Sequence, residues 1–127
     1  MTFPQRIVIV DDERAVRSGL SNLLHSDGYV TRSFESGEAL LADDDALVEA
    51  GMLIIDVGLK GMSGFELFTL LKARADLPPV IFISADVEET TLWYAIGLGA
   101  MTFLRKPIDV DTLLTLIRCE LSQGDVR

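Results

Sequence analysis

Arg6-Ile-Val-Ile-Val10, followed at once by Asp11-Asp12, decides the fold of this 127-residue chain. The unbroken run of branched apolar residues describes a strand buried on both faces, as a parallel sheet requires. Two carboxylates cannot continue such a run, so the strand ends on them. The arrangement returns three times. Met52-Leu-Ile-Ile runs into Asp56, Val80-Ile-Phe-Ile into Ser84, and Met101-Thr-Phe-Leu through Arg105 into Lys106-Pro107. If these strands are parallel in one sheet, all four polar sets gather at one edge, outside the carboxyl ends, where open α/β sheets hold ligands.

Helical patterns fill the intervals, which predicts a doubly wound α/β fold on a five-stranded parallel sheet with helices on both faces. Val16, Leu20, Leu23 and Leu24 make the first helical stripe, and Gly28 stops it as a C′ glycine would. Val30 to Phe34 alternates and reads as an edge strand. Ser36 is an N-cap for a helix whose apolar side takes in Leu40, Leu47 and Val48, and Gly51 precedes the third strand. After the Gly58–Gly64 loop, Leu67, Leu70 and Leu71 share a helix face that ends before Pro78-Pro79. Leu92, Ala95, Ile96 and Gly99 form the next inward stripe, leaving Trp93 toward solvent. Asp109 caps a last helix with Leu113, Leu116, Ile117 and Leu121 inward. Residues 1–121 thus make one domain, and the polar stretch 122–127 is a C-terminal tail or the start of a linker.

Composition narrows the function. Apolar residues are 49% and charged residues 24%, the mix of a globular domain. Eleven basic against twenty acidic residues give a net charge of −9, which argues against direct nucleic-acid binding. No apolar run nears the roughly 18 residues of a membrane span, and the start lacks a signal peptide. The lone Cys119 fits a reducing cytoplasm. Asp43-Asp44-Asp45 reads as a solvated turn or helix face.

Asp11, Asp12 and Asp56 differ from that run because each closes a buried strand. Each residue also has a plain reading: Asp11-Asp12 as helix caps, Asp56 and Ser84 as turn residues, Lys106 as a surface charge. Their joint arrival at four strand ends favours a site instead. Mg²⁺ prefers hard oxygen ligands, and Asp12, Asp56, Asp11 and the Gly58 carbonyl supply them. Unmetallated, the three carboxylates repel one another and should titrate as a coupled set, with Lys106 relieving them. A carboxylate can also attack phosphorus, and Asp56, on the central strand before a glycine-containing loop, is the nucleophile of choice. Lys106, the Ser84 hydroxyl and the Ala85 N–H would then hold phosphoryl oxygens.

At this point the chain, from Ile7 to about Leu121, closely resembles the receiver domain of bacterial two-component response regulators. The matching pieces are Asp11-Asp12, Asp56, Gly61-Met-Ser-Gly64, Ser84-Ala85, Ala95-Ile-Gly-Leu-Gly-Ala100 and Phe103-Leu-Arg-Lys106-Pro107. The resemblance implies a strand order of 2-1-3-4-5, Asp56 as phospho-acceptor, and Mg²⁺ at Asp11, Asp12, Asp56 and the Gly58 carbonyl. It makes Ser84 and Lys106 the phosphate-sensing pair, Phe103 the aromatic switch, and Lys106-Pro107 a cis peptide. It also implies a sensor histidine kinase as partner. Lys106-Pro107 and Asp56-Val-Gly-Leu look most like the subgroup of nitrogen-fixation regulators, which dimerise on phosphorylation and carry a DNA-binding output domain. Trp93 would lie on that dimer surface. Two departures stand out: Lys60 where the family usually has proline, and Phe103 without the hydroxyl of a tyrosine.

Three classes of function compete. A phosphorylated signalling module is favoured. A Mg²⁺-dependent phosphohydrolase would want an acid two residues after the nucleophile, where Gly58 stands. A receiver that binds partners without phosphorylation generally loses an acidic residue or the lysine, and this chain keeps all of them.

Overall fold

The computed structural model describes residues 5–85 and 88–123. Strands β1 (Arg6–Val10), β2 (Val30–Phe34), β3 (Ala50–Asp56), β4 (Val80–Ser84) and β5 (Thr102–Arg105) alternate with helices. These are α1 (Arg14–Ser26), α2 (Gly37–Leu41), α3 (Gly64–Arg74), α4 (Glu89–Leu98) and α5 (Val110–Gln123). All strand pairs are parallel, in the order β2-β1-β3-β4-β5, which is the expected doubly wound sheet. The chain leaves β1 toward β2 on one side and returns to β3 on the other. The crevice opened by that reversal lies at the carboxyl ends of β1 and β3.

Alternation along each strand divides the core into two layers. Val8, Val10, Leu53, Ile55 and Phe82 face α2, α3 and α4, where they meet Leu40, Leu67, Phe68 and Leu71. Ile7, Ile9, Met52, Ile54, Ile81 and Ile83 face α1 and α5, against Leu20, Leu24, Leu113 and Ile117. The central strands are therefore apolar throughout because both faces are covered. Gly28, at φ +93°, ends α1, and the Tyr29 N–H closes back on the Leu24 carbonyl at 3.0 Å. Asp109 caps α5 through its Oδ1, which accepts from the Asp111 N–H at 3.0 Å.

Four details depart from the sequence reading. Ser36 does cap α2, accepting from the Ala39 N–H, but the helix stops at Leu41. Leu47 and Val48 lie in the turns that follow, and Val48 is exposed. Asp43 explains the stop: its Oδ1 accepts from the Asp45 N–H at 2.9 Å and its Oδ2 pairs with Arg32, which diverts the backbone from helix. Gly51 lies inside β3, where a Cβ would stand 2.9 Å from Gln5 Oε1 and 3.1 Å from Leu121 Cδ2. On α3, Phe68 rather than Leu70 completes the inward face, and Leu70 is exposed.

The largest difference is α4. Leu92 and Ile96 are exposed and Gly99 is a left-handed C-cap at φ +104°, so the inward residues are Ala95 and, in part, Leu98. From Leu92 to Leu98 this helix carries apolar residues around its circumference, and periodicity cannot select a face from such a pattern. The Tyr94 ring meets Phe65 edge-on at 4.9 Å, and Lys72 Nζ donates to the Leu98 carbonyl at 2.9 Å. Trp93, 63% exposed, points outward as the pattern indicated.

Gly64 joins this frame to the crevice. It opens α3 against the end of β3, and a Cβ there would stand 2.4 Å from the Asp56 carbonyl oxygen and 2.9 Å from Val57 Cα. Both are backbone atoms and cannot yield as a side chain would. Gly64→Ala should therefore destabilise the domain by about 1–3 kcal/mol, the scale of overpacking. Urea unfolding checks this, and an unchanged midpoint would mean that α3 can shift off β3 freely.

Candidate functional site

Strand register builds the site. Val10 pairs with Ile55, so Asp11 and Asp56 stand one step beyond on neighbouring strands. Asp56 pairs with Ile83 and Ser84 with Arg105, which puts Ser84 and Lys106 at the adjoining strand ends. The ladder runs on past the strands, with Asp11 N–H donating to the Phe34 carbonyl at 3.1 Å and Lys106 N–H to the Ser84 carbonyl at 2.9 Å. The Lys106–Pro107 peptide is cis.

Lys106 is the centre of the cluster. Its Nζ lies 2.9 Å from Asp11 Oδ2, 3.0 Å from Glu13 Oε1 and 3.2 Å from Asp56 Oδ2. Burial alone would depress its pKa, but the surrounding carboxylates outweigh burial and hold the ammonium above the ordinary lysine range. Asp56, 4% exposed, moves the other way. Burial raises its carboxyl above the usual value and the Asp11 charge adds to this, against the Gly58 N–H and Lys106. The expected repulsion among the carboxylates is thus partly balanced by Lys106.

Each carboxylate is oriented by backbone. Asp11 Oδ1 accepts from the Glu13 N–H at 2.8 Å, and Arg17 Nη1 donates to the Asp11 carbonyl at 2.7 Å. Asp11 therefore forms a turn ahead of α1, whose N-cap position is Glu13. Asp12, half-buried, accepts from the Lys60 N–H at 3.3 Å, and Asp56 Oδ1 accepts from the Gly58 N–H at 3.1 Å. Ser84 is buried, Ala85 is exposed, and Phe103 is half-buried beside Phe82 in the register. Trp93 stands apart from this crevice, on α4.

The donor set fits a hard divalent cation. Carboxylate oxygens of Asp11, Asp12, Glu13 and Asp56 lie within 4.8 Å of one another. Asp11 Oδ2 is fully buried with no hydrogen-bond partner, and it meets the Lys106 ammonium as an ion pair at 2.9 Å. A buried carboxylate oxygen with spare accepting capacity suits an oxygen-seeking ion. Glu13 was not among the residues singled out in the sequence, although its place directly after Asp11-Asp12 was a signal for it.

Residues 7–118 match the family model of the response regulator receiver domain. The chain belongs to that family. Among relatives of this receiver domain, the C4-dicarboxylate transport transcriptional regulatory protein DctR of Rhodobacter capsulatus is 38% identical over 115 residues. That match covers 86% of this chain and 58% of DctR. The transcriptional regulatory protein FixJ of Bradyrhizobium diazoefficiens is 32% identical over 127 residues, covering 98% of this chain and 60% of its own. The FixJ match agrees with the subgroup read from Lys106-Pro107. The receiver domain therefore spans about three-fifths of the length of these regulators. The solved response regulator StyR superposes with a TM-score of 0.83 at 34% identity, covering 95% of this chain and 61% of StyR. A receiver domain from Methanospirillum hungatei shares the fold at a TM-score of 0.83 and 24% identity, covering 97% of this chain and 98% of its own. Among the described residues no helix is long and apolar enough to cross a membrane.

The raised pKa of Asp56 sets a sign for stability. The folded state holds the Asp56 proton more tightly than the unfolded chain does. Stability is thereby lost as pH rises from the ordinary carboxylate range through the raised value. In chelator, Asp56→Asn should unfold at higher urea than the wild type at about pH 7, and the gain should vanish toward about pH 4. A mutant less stable at neutral pH would show that the Lys106 pairing outweighs burial.

Proposed function

We propose that this receiver domain takes a phosphoryl group from a sensor histidine kinase onto Asp56, in a reaction that needs Mg²⁺. The observation that carries this is the Asp56 carboxylate itself: buried at the end of the central strand, 3.2 Å from one ammonium and beside a set of cation-binding oxygens. Asp11, Asp12, Asp56 and the Gly58 carbonyl would hold the ion, which when bound would supply positive charge to the phosphoryl oxygens. An Asp56 oxygen attacks phosphorus, the P–O bond forms, and the P–N bond to the donor imidazole breaks with its electron pair going to nitrogen. Lys106 moves its ammonium from the carboxylates to the new phosphoryl oxygens, and the Ser84 hydroxyl and Ala85 N–H donate to them. An apolar groove beside Lys106, lined by Val16, Leu23, Pro107 and Ile108, suits a partner helix that brings the phosphoryl group.

Phosphorylation adds roughly two negative charges at one point, enough to bias a two-state surface. The readout runs through Ser84 and Phe103 to the α4-β5-α5 face, and controls transcription, the role named for the longer relatives DctR and FixJ, through an output domain. In this reading the domain acts in the cytoplasm as a signalling module and not as a turnover enzyme.

Intact mass after incubation with a small phosphodonor tests the assignment. Wild type should gain one phosphoryl group with Mg²⁺ and none in chelator, while Asp56→Asn should gain none. Equal labelling of the mutant would reject Asp56 as the acceptor. The exposed Trp93 gives a second test, because tryptophan is prominent among interface anchors. Beryllofluoride should convert a monomer into a symmetric dimer with a change in Trp93 fluorescence, and Trp93→Ala should weaken that dimer about tenfold or more. Sedimentation velocity reads both, and equal dimerisation of mutant and wild type would remove Trp93 from the interface.

A further inference from the structure

The segment between β3 and α3 reaches the crevice through a series of backbone N–H groups, each with a carboxylate acceptor. Gly58 donates to Asp56 at 3.1 Å, Lys60 to Asp12 at 3.3 Å, Met62 to Glu38 Oε2 at 3.2 Å and Ser63 to Glu66 at 3.3 Å. Two of these acceptors belong to the crevice and Glu66 to the helix that follows. Glu38 belongs to none of these. It stands on α2.

Two glycines lie at that contact. Gly61 has φ +73°, and a Cβ on it would lie 3.0 Å from Glu38 Oε2. Gly37, next to Glu38, is buried, and a Cβ there would lie 3.2 Å from Met62 Sδ. The loop and α2 thus close on each other from both sides, and Ser36, capping α2, fixes where Glu38 begins. Lys60 sharpens the need for such a strap. A proline at that position would fix φ but would have no N–H for Asp12. The lysine gives Asp12 a donor at the expense of that local stiffness.

We propose that Glu38 is a positioning residue for the cation site, holding the loop so that the Lys60 N–H orients the Asp12 carboxylate before the ion arrives. This rests on the receiver reading given above. If the loop is released, Asp12 and the Gly58 carbonyl must be ordered when the ion binds, and affinity falls by that cost. Groups hydrogen-bonded directly to a metal ligand change affinity by about 10–100-fold when removed. Glu38 works one loop away, so an effect of about three- to tenfold is expected.

Calorimetric titration of the unphosphorylated domain with Mg²⁺, together with hydrogen exchange of the Lys60 and Met62 amides in chelator, tests this. Glu38→Ala should bind Mg²⁺ more weakly by that factor and exchange both amides faster, with an unchanged urea midpoint because Glu38 is exposed. Glu38→Gln keeps a carbonyl oxygen for the Met62 N–H and should behave as the wild type. Unaltered Mg²⁺ affinity in Glu38→Ala would overturn the proposal, and so would an equal loss in Glu38→Gln, which would point to charge rather than the strap. Absence of Mg²⁺ binding by the wild type would instead overturn the cation site itself.

Discussion

A single ammonium surrounded by carboxylates is the interaction on which the rest of this domain depends. Asp11 is fully buried and Asp56 nearly so, and removing two such charges from water is expensive unless a counter-charge is close. Lys106 provides it at about 3 Å from both. The geometry is demanding. Lys106 follows β5, two strands away from β3, and neighbouring strands lie about 4.8 Å apart. Only a long, flexible stem spans that gap, which explains why lysine rather than a shorter cation stands there. The strand order therefore serves the electrostatics as much as the core.

The same ammonium has a double duty in the proposed reaction. In the resting state it offsets the repulsion between Asp11 and Asp56, and in the phosphorylated state it would face the new oxygens. Glu13 moderates this. Its exposed carboxylate holds Lys106 from the solvent side at 3.0 Å, where an exposed pair contributes little to stability but still restricts where Nζ can go.

Most of the fold was legible because its signals were redundant. Unbroken apolar runs at β1, β3 and β4, a stripe on α1 and a C′ glycine at Gly28 all call for one parallel sheet. The strand-end positions of Asp11, Asp56, Ser84 and Lys106 were legible for the same reason, since the register carries them to one edge. What escaped was set by competition or by uniformity. Asp43 diverted the backbone after Leu41 by a local side-chain bond, which a periodic pattern cannot register. The apolar residues around α4 give no preferred face, and Leu92 and Ile96, which the spacing puts inward, are exposed. Glu13 is legible only as the residue after Asp11-Asp12, and Glu38 acts through a contact to Met62 far along the chain, which no repeating pattern marks.

The bond from Lys72 to the Leu98 carbonyl makes α4 unequal along its length. Its C-terminal end is fastened by that ammonium, by the left-handed turn at Gly99 and by the partly buried Leu98. Toward the other end lie Leu92 and Trp93, both exposed. A tilt of α4 about that fastened end would make it a lever, with its pivot at the end away from the crevice. Ten residues of helix are about 15 Å long, so a tilt of about 10° at the pivot carries the first turn roughly 2–3 Å. A displacement too small to disturb the core would thus be magnified into one large enough for another protein to feel.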